Sequence, residues 1–172
     1  MNLQSNDFEL FSLAPQFEQD RATLDARWKD LQREAHPDKF AAQGAAAQRV
    51  AMQWSVRINE AYQRLKNPLA RASYLCELNG AAINAENNTA MPAQFLMQQM
   101  EWREALDEAK SVADLEKIAA QARTSERGQM ARIEQALDVQ KDFAEAARQV
   151  RSLMFIERFA SEVDSRIDLL EA

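Results

Sequence analysis

The sequence predicts an all-α protein, and three observations carry that expectation. Alanine, glutamine, glutamate, leucine and arginine are abundant, and all favour helix. No run combines β-branched residues with strict alternation, so strands have no seed. Only three glycines and four prolines in 172 residues leave little material for turns. The expected architecture is an antiparallel helical hairpin with flanking short helices, followed by an antiparallel three-helix bundle.

The elements follow in chain order from local signals. Residues 8 to 15, FELFSLAP, supply a short apolar segment able to pack across the first long helix. Asp20 is placed to cap that helix, which runs to about Ala35. Leu24, Trp28, Leu31 and Ala35 recur at steps of four, three and four, making one buried stripe. Lys29 and Arg33 fall on the opposite face. EAHPDKF comes next, at residues 34 to 40, with the chain's one histidine. Pro37 cannot continue a helix and pushes His36 out of the helical region. His36 and Asp38 are therefore expected in a tight exposed turn, one on each side of Pro37.

Residues 42 to 66 read as a longer helix whose stripe is Val50, Trp54, Ile58, Ala61 and Leu65, with Tyr62 beside it. Asn67-Pro68 pairs an N-cap with a proline at the first helical position, ending one helix and starting another. That helix carries Leu69, Ala72 and Leu75 or Cys76, and Gly80 marks its end. NGAAINAENNTAM, residues 79 to 91, reads as a linker. Three helices are expected beyond it, at roughly 92 to 110, 112 to 137 and 141 to 170. Gly128 is a soft spot in the middle one, costing ~1 kcal/mol relative to alanine.

In FLMQQMEWREALDE, residues 95 to 108, Phe95, Gln99, Trp102 and Leu106 share the face that suits a bundle core. Leu96, Met97 and Met100 point elsewhere, and Glu101, Glu104 and Glu108 line that other side. A bundle helix needs one apolar stripe, and this one has a second, edged by acid. The second stripe either broadens the packing or meets a partner, for which methionine is adaptable and carboxylates orient. In the last helix Leu153, Ile156, Phe159, Val163, Ile167 and Leu170 form the core face. Phe155 lies ~100° from its centre and is either a boundary residue or part of the same patch.

Charge and composition exclude several function classes. A formal net charge of −6 and a pI near 5.0 argue against general affinity for nucleic acid or an anionic membrane. Nothing approaches ~18 consecutive apolar residues, so no membrane span is expected. The start, MNLQSNDFEL, lacks a charged and then apolar leader, and one cysteine, Cys76, fits a reducing cytoplasm. Structural zinc takes about four ligands and an iron–sulfur cluster several thiolates, so neither is expected. A His–Asp pair also needs a nucleophile or an activated water, and Cys76 falls on a packing face. No glycine loop could cradle phosphates. A non-enzymatic chain without a cofactor is the expectation.

HPD alone is a weak motif, but its context is specific. The tripeptide sits at the tip of a helical hairpin, after a helix showing Lys29 and Arg33 and before one ending INEAYQRLKNP. This arrangement resembles the J domain of DnaJ-type co-chaperones from residue 7 to about 76. The resemblance implies that His36, Pro37 and Asp38 trigger ATP hydrolysis by a DnaK-type chaperone, with Lys29 and Arg33 as charged docking contacts. Asp25 and Asp30 interrupt the basic face, a departure that points to a specialised partner.

With FLMQQMEWREALDE following, the whole chain resembles the HscB family, J-type co-chaperones of iron–sulfur cluster assembly. The resemblance implies a J domain over residues 1–78 that engages the chaperone HscA, a linker over 79–91, and a bundle over 92–172 that binds the scaffold protein IscU. The scaffold-binding positions would be Leu96, Met97, Met100, Glu101, Glu104 and Glu108, with Phe155. Some eukaryotic members add a cysteine-rich N-terminal zinc module, which this chain is not expected to carry. A monomer is the simplest expectation. A J protein with a different client is the alternative.

Overall fold

The computed structural model describes residues 2–84 and 92–172. Every regular element among them is helical. Residues 85–91, the second part of the expected linker, lie outside the described residues. The chain divides into two compact units, Met1–Leu75 and Cys76–Ala172.

In the first unit, α1 (Asp7–Leu10) is a single turn held by a reciprocal cap. The Glu9 N–H donates to Asn6 Oδ1 at 2.9 Å while the Glu9 carboxylate accepts from the Asn6 N–H. It buries Phe8 and Leu10, and Phe11 beyond it, and packs chiefly on the second long helix, not across the first as the sequence reading had it. α2 (Arg21–Ala35) starts where Asp20 accepts from the Thr23 N–H at 3.1 Å. α3 (Ala45–Lys66) lies against it, burying Ala51, Ile58, Ala61, Tyr62 and Leu65. α4 (Pro68–Leu78) begins at the Asn67 cap, whose Oδ1 accepts from the Ala70 N–H at 3.1 Å.

Two differences from the sequence reading concern the hairpin tip. The longer helix does not start at residue 42. A 3-10 helix, Pro37–Gln43, fills the turn, and Gly44 separates it from α3 with φ +99° and ψ 172°, a conformation nearly confined to glycine. The apolar stripes also thin out towards the tip. Trp28, Leu31 and Ala35 are half-buried, and Val50 is 51% exposed because it lines a cavity of about 440 Å³ with Leu31, Ala35, Phe40 and Trp54. The helices pack less closely towards the tip, although Ala51 stays buried there and the Ser55 hydroxyl donates to the Ala35 carbonyl.

A buried charge anchors the half away from the tip. Asp7 is fully buried, yet it meets Arg57 at 2.8 Å and Arg64 at 2.6 Å. The two arginines stand seven residues apart on α3, two turns along one face. The Asp7 N–H donates to the Tyr74 hydroxyl at 3.0 Å. One short helix is thereby tied to both α3 and α4.

The second unit opens with the end of α4, where Ala81 N–H reaches the Cys76 carbonyl and Gly80 N–H the Glu77 carbonyl. With Gly80 at φ +80°, this is the glycine-terminated cap expected from the sequence. Ile83 is buried, and its carbonyl accepts from Arg151 Nε at 2.9 Å. The bundle comprises α5 (Ala93–Glu108), α6 (Val112–Glu134) and α7 (Phe143–Glu171). Between α6 and α7 the chain widens into a π turn, Gln135–Val139, which buries Ala136 and Leu137. Phe95, Trp102 and Leu106 of α5 join Leu115, Ile118, Ile156, Phe159 and Val163 in one core. Burying each large side chain contributes roughly 1.5–3 kcal/mol. Leu170, expected on the core face of α7, is exposed instead, because α7 there outruns its neighbours' core residues.

Candidate functional site

The hairpin presents its polar tip through ordinary helix-end chemistry. His36 ends α2 with an extended backbone, φ −62° and ψ 127°, as a residue before proline should. Its Nδ1 accepts from the Asp38 N–H at 3.2 Å, so the imidazole caps the 3-10 helix that Pro37 begins. A neutral imidazole accepting at Nδ1 carries its proton on Nε2. The tip therefore offers an N–H donor at Nε2 and, on exposed Asp38, a carboxylate acceptor. Proline and the cap hold these groups in place before any partner arrives.

Lys29 and Arg33 are both exposed on α2, as expected. The acidic residues beside them are engaged as well. Asp30 meets Arg33 at 3.6 Å, and Asp25 pairs with Arg21 at 2.9 Å. The Tyr62 hydroxyl donates to Asp25 at 2.7 Å, and this bond, followed by Arg21, holds the carboxyl below the usual aspartate value. Lys29 adds a smaller contribution to the same lowering. Beneath this surface Trp28 stacks on Tyr62 at 4.6 Å, and the Trp28 and Gln32 side chains both donate to Asn59 Oδ1. These bonds fix α2 on α3 and so fix the orientation of its outer face.

In the bundle unit α5 turns Phe95, Trp102 and Leu106 inward and leaves a second apolar set outside. Leu96 is 45%, Met97 67% and Met100 74% exposed. Glu101, Glu104 and Glu108 are exposed as well. Phe155 has a different setting. It is half-buried, edge-on to Phe95 at 5.7 Å and stacked with Phe159 at 6.0 Å, with the Arg103 guanidinium 5.7 Å from its ring. It is a boundary residue, and replacing it disturbs the aromatic core as well as the surface.

The chain's one thiol is not placed for nucleophilic chemistry. Cys76 is fully buried, and burial pushes its thiol up to about 11, far from a reactive thiolate. Among the described residues no group of three or more His, Cys, Asp or Glu side chains could hold a metal ion. Among them, too, no helix is long and apolar enough to cross a membrane.

Sequence reasoning missed the polar groups that depend on tertiary packing. Arg103 of α5 meets Glu162 of α7 at 2.6 Å, and Arg166 of α7 donates to the Leu106 carbonyl at 3.2 Å. Gln129 of α6 is almost fully buried and bonds to Gln149 of α7. Nothing in the local pattern marks these partners.

Comparison with known proteins is consistent across the chain. Residues 91–164 match the family model described as the HSCB C-terminal oligomerisation domain. A protein of Burkholderia multivorans named co-chaperone protein HscB homolog is 49% identical, with 99% of each chain covered. One of the same name from Burkholderia thailandensis is 48% identical over the same share. Among solved structures, the chaperone HscB from Vibrio cholerae matches with a TM-score of 0.80 at 37% identity, covering 96% of this chain and 99% of that one. The human co-chaperone protein HscB matches with a TM-score of 0.83 at 30% identity, covering 98% of this chain and 83% of that one.

Proposed function

Because the chain belongs to the HscB family of co-chaperones, we propose that it is a two-sided adaptor for iron–sulfur cluster assembly. Residues 1–78 serve as the J domain that engages HscA and stimulates its ATPase. Residues 92–172 hold the cluster scaffold IscU, with 79–91 as the link between them. The chain works without a cofactor and catalyses nothing itself: ATP turnover belongs to the partner. It acts in the cytoplasm as a monomer.

The observation that carries this reading is the second apolar face of α5. Leu96, Met97 and Met100 stand exposed together, edged by three glutamates, while a complete core lies on the other side of the same helix. Exposure of that much adjacent apolar surface costs solubility unless a partner covers it. At the hairpin, His36, Pro37 and Asp38 form a preorganised donor–acceptor tip, and Lys29 and Arg33 add long-range attraction to an acidic surface. Binding both partners raises the client's effective concentration at the chaperone without any new contact.

Asp25 and Asp30 on the docking face favour a specialised chaperone partner. They pair with Arg21 and Arg33 and lower the net positive charge of the docking face. A chaperone partner less acidic than usual would suit that surface.

The test is IscU binding by a variant carrying Leu96→Ala and Met100→Ala. Both side chains are exposed, so fold and HscA stimulation without client should stay as in the wild type. The dissociation constant for IscU should rise at least tenfold, about 1.4 kcal/mol for two truncated anchors. Unchanged affinity would transfer the client site elsewhere. Phe155→Ala belongs in a separate variant, scored with its melting curve, because its ring packs on Phe95 and Phe159.

A further inference from the structure

Beside the exposed face of α5, the bundle unit is cleft. α5 packs only sparsely on α6, and two cavities of about 460 Å³ and 690 Å³ open along it. They share Gln98, Glu101 and Arg132. The first also reaches Met97, so cleft and apolar face are continuous.

At the cleft a built polar relay holds one cation. Gln129 is 2% exposed, and both ends of its amide are engaged. Its Nε2 donates to the Gln149 carbonyl at 3.0 Å and to Gln149 Oε1, and its Oε1 accepts from Arg132 Nη1 at 3.3 Å. Gln149 is steadied in turn by donating to Glu145 at 2.7 Å. Arg132 is exposed, and among the described residues no carboxylate pairs with it. A guanidinium carries five N–H donors, and the relay uses one.

We propose that this cleft is a carboxylate-reading subsite, with Arg132 as anchor and Gln129 as its positioning residue, and that the carboxylate comes from the client bound on α5. The inference rests on reading α5 as the client surface. The charge pattern argues for an acidic group: Glu101, Glu104 and Glu108 repel a client carboxylate along α5, and among the described residues Arg132 is the one cation lining the first cavity, while Lys117 joins it in the second. An acidic side chain entering the first cavity thus has one favourable position, beside Arg132, which fixes the client's register on an otherwise adaptable apolar face.

The experiment titrates IscU into the full-length wild type, Arg132→Gln and Leu96→Ala at low and high salt, with melting curves for all three. Arg132→Gln is expected to weaken binding about tenfold at low salt, as loss of one charge-assisted bond should, and less at high salt, where the wild type loses that contact too. Its melting curve should match the wild type. Wild-type affinity in Arg132→Gln beside weakened Leu96→Ala overturns the subsite and leaves the client surface standing. Equal loss at both salt concentrations, or loss that tracks a lowered melting temperature, also overturns it, since packing and not charge would then be the cause. If neither variant weakens binding, α5 is not the client surface and both readings fall.

Discussion

His36 does two things with one ring. Its Nδ1 caps the 3-10 helix by accepting from Asp38, leaving the Nε2 edge for a partner. Glutamine can accept the same N–H through its amide oxygen, so His36→Gln should keep the turn, with stability changed by less than ~0.5 kcal/mol. HscA stimulation should vanish while IscU binding stays intact. Steady-state ATP turnover and a binding titration on one preparation check both halves. Asp25 gives a pH dependence of known sign. Its folded pKa lies below the ordinary value of 3.8, because Tyr62 and then Arg21 favour the charged form. Folding is therefore helped fully above about 3.8, and that help is lost as pH falls through the lower folded value. Asp20 and Asp114, lowered by cap hydrogen bonds to Thr23 and to Lys110 and Ser111, act in the same direction. Urea midpoints at a series of pH values below 5 should fall more gently for Asp25→Asn than for the wild type. Residues of this kind divide by how far their partners lie in sequence. The exposed set on α5 was legible because a helical wheel needs only neighbours four residues apart. Asp7 was not, since its partners are Arg57 and Arg64, and nothing within a few residues of Asp7 predicts a buried ion pair.

At the scale of elements, ends announced by strong local chemistry were readable, and a break surrounded by helix-favouring residues was not. Asp20, Asn67-Pro68 and Gly80 each supply a capping group or a permissive backbone, and helices start or stop there. The start of α3 was misplaced because Ala41, Ala42 and Ala45 to Ala47 all favour helix and mask the break. Gly44 makes it, by adopting a positive φ that alanine tolerates poorly. The π turn was equally silent, because its residues, QALDV, have no composition that separates them from α-helix. Gly128 has the opposite character: it sits inside α6 in ordinary helical backbone, and a Cβ there meets nothing within 4 Å. Gly128→Ala should therefore stabilise the protein by roughly 0.5–1 kcal/mol through reduced freedom of the unfolded chain. A higher urea midpoint with an unchanged slope is the expected reading. An unchanged or lowered midpoint would mean that α6 needs glycine at the cleft for a reason other than space.

For the whole molecule, the central claim is division of labour: one unit addresses a chaperone, the other its client. The fold class was legible from composition and the lack of any strand pattern. The family reading depended on matching two motifs at once, HPDKF in the first unit and FLMQQMEWREALDE in the second, because each alone fits many helical proteins. What lay beyond the sequence was the cleft beside the proposed client surface, since the cavity lined by Arg132 exists only where α5, α6 and α7 meet. The measurement that tests the claim most directly is ATP turnover by HscA as this protein is titrated in, with and without IscU. Adaptor action predicts stimulation by each alone and a combined stimulation well above their sum. Stimulation by this protein that is indifferent to IscU would contradict it, leaving a J domain in search of another client.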